Sequence, residues 1–401
     1  MKHSGSADLT LMGGHIPQWL FERMTKLSLA MVEAILMDYG QQGLLERMSN
    51  PFWFQSFGAV IGMDWNSSGV TTAVLRALKQ SINPHAKALG IYVCGGKGKN
   101  SLRTPEELKR VGYQTGLDGD FLARCSKLTA KVDNTAIQDG YQLYIHSFMV
   151  SEKGDWTVIQ QGMNTKDSSA RRYHWHSETL DSFVMDPHTA ICGENQGAIL
   201  NLVDKQAQPT RQGILEIIQD DPDKMVKEIP RIVLPKYCGI QPKDVNHKRL
   251  GSILWLAQES QTNTFEDLLL LKGLGPRTLQ SLALVSEVIH GNPTRFTDPA
   301  RFAFAHGAKG GKPFPVPTKV YDETITTLKD AVQKAKIGHT DKQKAIAKLT
   351  KLAQNAEKDF TPNTNLEALK AKENREAWKY GGRTMKGYAK PPQGEQLRLF
   401  D

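Results

Sequence analysis

The chain has 401 residues and a formal net charge of +9, enough length for two or three domains with sizeable cores and a balance that favours a polyanionic partner. Its four cysteines (Cys94, Cys125, Cys192, Cys238) form no Cys-x-x-Cys pair, so neither a disulfide scaffold nor an iron–sulfur cluster is indicated. The start, Met1-Lys-His-Ser-Gly-Ser, is not an apolar signal segment and no run approaches the ~20 apolar residues of a membrane span, so a cytoplasmic protein without a membrane partner is expected.

In chain order, Ile16 to Met37 reads as an amphipathic helix entered through Pro17, and Gly43 to Met48 as a short second one. Pro51-Phe-Trp-Phe is an apolar anchor, and the Gly-rich apolar run from Phe57 to Trp65 reads as strand-like, with Asp64 at its end. Val70 to Ile82 is predicted as a helix, Gly90 to Cys94 as a buried strand, and Leu122 to Ile137 as another helix. Tyr141 to Val150 and Trp156 to Gly162 alternate around Ser-Glu-Lys-Gly-Asp, which predicts a β-hairpin. Residues 1–235 are thus expected to form one α/β or α+β domain. Residues 236–318 form a small all-α unit, 319–385 a Lys-rich helical segment and 386–401 an extended tail. The charge is concentrated late: Lys319 to Asp401 hold 17 Lys/Arg against 11 Asp/Glu, hence +6 of the +9.

The most specific segment is Thr264 to Leu284. Thr264 is placed to cap a helix from Phe265 to Leu271, with Asp267 at its third position. Lys272-Gly-Leu-Gly275 then turns the chain, and Pro276 opens a helix that ends at Gly291. Such a glycine bend brings free amides and the positive helix end towards an anion, and Lys272 and Arg277 add charge. The arrangement resembles a helix-hairpin-helix DNA-binding motif. That resemblance implies contacts to backbone phosphate through Lys272, Gly273, Gly275, Arg277 and Thr278, with no base readout. The alternative is an ordinary helix pair in a core.

The tail ends Gln396-Leu-Arg-Leu-Phe-Asp401 after a Pro/Gly run that neither packs nor continues a helix. It resembles the peptide by which bacterial replication and repair proteins bind the sliding clamp. This implies Gln396, Leu397, Leu399 and Phe400 as anchors, and a bacterial source. A frayed end with chance apolar residues is the alternative.

Candidate chemistry lies earlier. Asp64 at the end of an apolar run resembles the first strand of ribonuclease-H-like nucleases. Asp64, Asp133 and Asp139 are the carboxylates expected to hold Mg²⁺ or Mn²⁺ for phosphodiester hydrolysis, with Lys131 supplying charge and Gln160 an orienting amide. The competing reading has Asp133 and Asp139 capping a helix and a turn. Gly95-Gly-Lys-Gly-Lys99 offers Lys97 and Lys99 to phosphate but lacks the ending of a nucleotide-binding loop, so no nucleotide cofactor is expected. Arg171-Arg172-Tyr-His-Trp175 interleaves cations and aromatics, which suits stacked nucleic acid or, equally, a loop docked on the core. His174, His176, His188 and Cys192 make only a weak zinc pattern. A DNA glycosylase using Asp298 is the rival enzyme class; Arg277 stands where a lyase carries its Lys and cannot form a Schiff base. A non-enzymatic adaptor is the third class.

Gly5-Ser-Ala-Asp-Leu, Pro17-Gln-Trp-Leu-Phe-Glu-Arg-Met, Asp64-Trp-Asn-Ser-Ser-Gly-Val-Thr-Thr, Ala130-Lys-Val-Asp-Asn, Gln138-Asp-Gly-Tyr-Gln-Leu-Tyr and Gln160-Gln-Gly-Met-Asn, with Gly95 to Lys99 and Ala170 to Trp175, resemble domain-of-unknown-function family 763. The resemblance continues through the hairpin unit to about Ile346 and implies no chemistry of its own. The residues together predict a DNA repair or replication protein: a metal-dependent nuclease that grips DNA through the hairpin and is recruited by the clamp.

Overall fold

The structure is a computed structural model describing residues 16, 18–61, 63, 69–164, 169–193, 195–228, 247–300, 375, 383–384 and 387–388. The first long helix, α1 (Gln18–Ser49), is two helices joined at Gly40, whose φ of 69° breaks the α geometry between the two predicted segments. The apolar run after Pro51 is helix α2 (Pro51–Val60), not a strand. Its Phe54 and Phe57 lie one turn apart and are both buried, a helical period that the Gly-rich composition obscured. Then come α3 (Gly69–Ile82), the short α4 (Ala86–Leu89) and strand β1 (Ile91–Lys97).

A 3-10 turn at Gly98–Arg103 leads into α5 (Thr104–Thr115), which ends on the left-handed Gly116. Asp118 then caps α6 (Gly119–Lys131), accepting from the amides of Asp120 and Phe121. Past α6 the backbone takes a single π-helical turn, Val132–Ala136, and a two-residue strand β2 (Ile137–Gln138). The widened turn carries Asp133, in keeping with the habit of π turns to redirect a side chain that matters. The hairpin strands follow as β3 (Gln142–Ser151) and β4 (Trp156–Met163), then β5 (Ala170–His176), β6 (Ala190–Cys192) and β7 (Leu200–Asn201). Helices α7 (Gln208–Gln219), α8 (Pro222–Glu228), α9 (His247–Glu259), α10 (Phe265–Leu270) and α11 (Pro276–His290) follow. Two further short strands, β8 (Arg383–Thr384) and β9 (Gly387–Tyr388), pair with each other.

The central sheet is antiparallel in the order β1-β3-β4-β5-β6, with helices on both faces, an α+β arrangement. Strand alternation separates two cores. Ile91, Val93, Ile145, Met149 and Ile159 face α1 to α3. Phe148, Val150, Trp156, Val158, Tyr173 and Trp175 face the other way and share one apolar cluster with Leu254, Leu268, Leu274, Leu279 and Leu282 of the α9–α11 segment. Among the described residues that segment therefore has no core separate from the sheet's. The sheet and the hairpin bury a common surface, each side chain of Leu or Phe size contributing roughly 1.5–3 kcal/mol.

The α5–α6 pair offers a direct test of this packing. A Cβ added at Gly112 would sit 2.6 Å from the Gly119 Cα, backbone that cannot give way. Gly112→Ala is expected to lower stability by about 1–3 kcal/mol in urea denaturation, and no loss would refute the close helix approach.

Candidate functional site

The bend between α10 and α11 is built as the sequence predicts. The Thr264 hydroxyl accepts from the Asp267 amide (3.1 Å) and donates to its carboxylate (2.6 Å), fixing the start of α10. Gly273 lies at φ 91°, where a side chain is strained. Gly275 is extended (φ −125°), and a Cβ there would meet nothing within 4 Å. Leu274 is buried between them as the anchor, while Lys272, Gly273, Pro276 and Arg277 are exposed.

The two edges of this bend differ. Its carbonyls turn inward to donors from three other elements. Arg249 on α9 donates to Gly273 O (2.9 Å), Lys131 at the end of α6 to Leu274 O (2.9 Å), and Gln138 on β2 to Pro276 O (2.7 Å). Among the described residues, the N–H groups of Gly273, Gly275, Arg277 and Thr278 have no protein acceptor, and α11 has no side-chain cap. Peptide dipoles are thus aligned with their positive ends outward, beside the cations of Lys272 and Arg277. Burial lowers the pKa of Lys131.

A second constellation lies inside the sheet. His146, Gln160 and Tyr173 stand in one row across β3, β4 and β5. Gln160 donates through its amide nitrogen to Asp133 Oδ2 (2.5 Å), so its oxygen accepts from His146 Nδ1 (2.7 Å). The other ring nitrogen of His146 is then left to accept the Ser126 hydroxyl (2.8 Å). Trp175 Nε1 also donates to Asp133 Oδ2 (3.0 Å), and His188 Nε2 meets Oδ1 at 2.5 Å. The His188 ring packs on Trp175 with centroids 4.3 Å apart. Asp139 accepts from the Tyr173 hydroxyl (2.6 Å), Arg171 (3.1 Å) and the Tyr141 amide (3.1 Å). Arg171 also forks onto both oxygens of Asp298 (2.9 and 2.7 Å), which further accept from the amides of Gln196 and Ala300.

Burial raises the pKa of Asp133, opposed by His188, Trp175 and Gln160. Burial likewise lifts Asp139 to about 6, opposed mainly by Arg171. Burial disfavours the charge of Arg171, but the two carboxylates outweigh it and raise its pKa. His146 is pushed down to about 4 by burial and is a neutral ring at physiological pH.

These positions correct several expectations. Asp133 and Asp139 do lie on one face of the sheet with Gln160, and their oxygens accept from protein N–H and O–H donors. Among the described residues no group of three or more His, Cys, Asp or Glu is arranged to hold a metal ion. Asp64 lies outside the described residues. Lys131 serves the hairpin carbonyl, and Gln160 orients Asp133. Arg171 and Arg172 do not face a ligand: β5 is an interior strand and all seven of its residues are buried. Arg172 reaches the opposite face, where it bonds His174 and Gln55, and burial lowers its pKa to about 10. His174 and His176 share that face, away from His188, so the four weak zinc candidates are divided by the sheet.

The glycine-rich turn is likewise no phosphate cradle at Gly95, whose amide is held by Glu107 (2.8 Å), although Lys97 and Lys99 are exposed beyond it. Asp298 is buried against Arg171, not presented to a substrate. The clamp-peptide residues Gln396, Leu397, Leu399 and Phe400 lie outside the described residues, as do nearly all of 319–385. Sequence reading missed Ser126, His146, Gln138 and Arg249, which only strand parity or spatial partners mark, and it gave Tyr173, Trp175 and His188 no place around Asp133 and Asp139.

His146 makes the buried centre testable through pH. Its folded pKa of about 4 lies below the ordinary 6.5, so the unfolded chain binds more protons between those values. Stability from this group is complete above about pH 6.5 and is lost as pH falls towards 4. Urea titrations at pH 7.5 and 5 should give a pH slope that is shallower in His146→Gln; an identical slope would remove His146 as its source.

Among the described residues no helix is long and apolar enough to cross a membrane. No curated protein and no solved structure matches the chain. The family model described as "Protein of unknown function (DUF763)" matches residues 5–316, covering both the sheet and the hairpin, and the chain belongs to that family.

Proposed function

We propose that the protein binds DNA through backbone phosphate at the Lys272–Thr278 bend, in the service of DNA repair or replication. One observation carries the reading: the exposed bend has amides without protein acceptors while its carbonyls are bonded inward. An anion is the partner that such an edge lacks, and a phosphodiester chain also satisfies Lys272 and Arg277. Contact to phosphate alone holds DNA of any sequence. Nuclease chemistry at Asp133 and Asp139 has no place in this reading, because both carboxylates already serve protein donors. Glycosylase chemistry at Asp298 fails for the same reason.

The tail completes the proposal. Gln396, Leu397, Leu399 and Phe400 tether the protein to a bacterial sliding clamp, which raises its local concentration at DNA without touching the bend.

Gly275 is the discriminating position, because its extended backbone accepts any residue and the space around it is open. Gly275→Val should lower the melting temperature only slightly, because Val caps α11 less well than Gly, while weakening DNA binding about tenfold, or about 1.4 kcal/mol. Unchanged affinity in a fluorescence-anisotropy titration would discard the hairpin as the grip. Deleting residues 396–401 should abolish binding to the purified clamp and leave DNA affinity intact; clamp binding that survives the deletion rules the tether out.

A further inference from the structure

The sheet register places a second set of cations at the same end of the molecule as the bend. Lys97, the last residue of β1, stands opposite Ile145 on β3, and its ammonium lies over the Tyr144 ring at the strand end, on the α1–α3 side of the sheet edge. Two residues earlier on β3, the Leu143 amide donates to Asn134 Oδ1 (3.4 Å) in the π turn. That turn lies between Lys131 and Gln138, the two side chains that hold the bend carbonyls. Helices α5 and α6 give the same placement independently. They are joined by Gly116 to Asp118 and pack along their lengths, with Gly112 against Gly119 and Lys109 paired to Asp120 near the joint. The start of α5, with Arg103 before it, lies by Gly95 and His146, where Ser126 of α6 also bonds, and α6 continues from Ser126 to Lys131, which reaches the bend.

Lys97, Lys99 and Arg103 are exposed and, among the described residues, have no ion-pair partner. Of the two acids next to them in sequence, Glu107 is bound to Lys79 at 2.6 Å and to the Gly95 amide, while Glu106, among the described residues, has no ion-pair partner. From Lys97 across one strand spacing, along β3 and over the π turn, the bend is on the order of 20 Å away.

We propose that Lys97, Lys99 and Arg103 form a second phosphate-contact set, so that one DNA backbone runs from the bend along this end of the sheet. This rests on the hairpin reading and adds a minimum ligand length. At 3.4 Å per step, about 20 Å spans roughly six base pairs, so a shorter duplex engages the bend alone.

The test compares hairpin duplexes with 4-base-pair and 14-base-pair stems, binding wild type, Gly275→Val and the triple variant Lys97→Ala/Lys99→Ala/Arg103→Ala. The altered cations are exposed, and thermal melting confirms the fold. On the long stem the triple variant should bind at least tenfold more weakly, with the slope of log K against log salt reduced by about 2.7. On the short stem it should match wild type. Unchanged long-stem binding overturns the second contact set, and so does an equal loss on both stems, which would place these cations on the same phosphates as the bend. Wild-type affinity of Gly275→Val on the short stem would instead refute the hairpin reading.

Discussion

A single buried guanidinium settles where the hairpin segment sits on the sheet. Arg171 projects from an interior strand between Asp139, which follows the π turn and β2, and Asp298, which follows α11. Neither carboxylate is exposed, and a buried charge is tolerable only when paired and hydrogen-bonded. Here the guanidinium bonds both acids, and each acid takes further donors from Tyr173, Tyr141, Gln196 or Ala300. Removing Arg171 leaves both buried acids without a counter-charge, whereas removing either acid leaves the guanidinium paired with the other. This shared pairing fixes a strand, a turn and the far end of the hairpin in one register, with the common apolar cluster filling the space between them.

The bend inherits its orientation from that register. Lys131, Gln138 and Arg249 come from separate elements, and each donates to a different carbonyl of residues 273–276. A loop held so by one edge cannot rotate its peptide planes without losing several bonds at once. Its opposite edge therefore presents amides in a fixed array, and an anion that binds there spends no free energy on ordering the loop. The buried centre around Asp133 lies two residues beyond Lys131, so the residues that stiffen the sheet also place the donor that turns Leu274.

Much of this is legible in the sequence. Thr264, Gly273, Pro276 and Gly291 each have one favourable backbone role, and together they delimit α10, the bend and α11 correctly. The β3–β4 hairpin was equally plain from alternation. The run from Phe57 was misread because a short apolar segment with glycines has no period that separates strand from helix; the helix appears once Phe54 and Phe57 share a buried face. Arg171 and Arg172 looked like surface cations because a charged pair next to aromatics reads as exposed. Only the sheet order, which makes β5 an interior strand, buries them on opposite faces. His146 was within reach: with Val150 opposite Trp156, counting four residues out along each strand puts His146 opposite Gln160. Arg249 and Gln138 were not, since nothing local in the chain points to a carbonyl over a hundred residues from Gln138.

The most direct measurement follows the amide protons themselves. In a spectrum of the full chain labelled with nitrogen-15 on glycine, Gly273 and Gly275 report on the bend, while Gly112 and Gly119, packed against each other between α5 and α6, serve as internal controls. Titration with a 14-base-pair duplex should shift the Gly273 and Gly275 protons downfield, as expected for new hydrogen bonds to phosphate, and leave the control pair in place. If the duplex binds while those two resonances stay put, the outward amides are not the grip, and the bend is a structural turn.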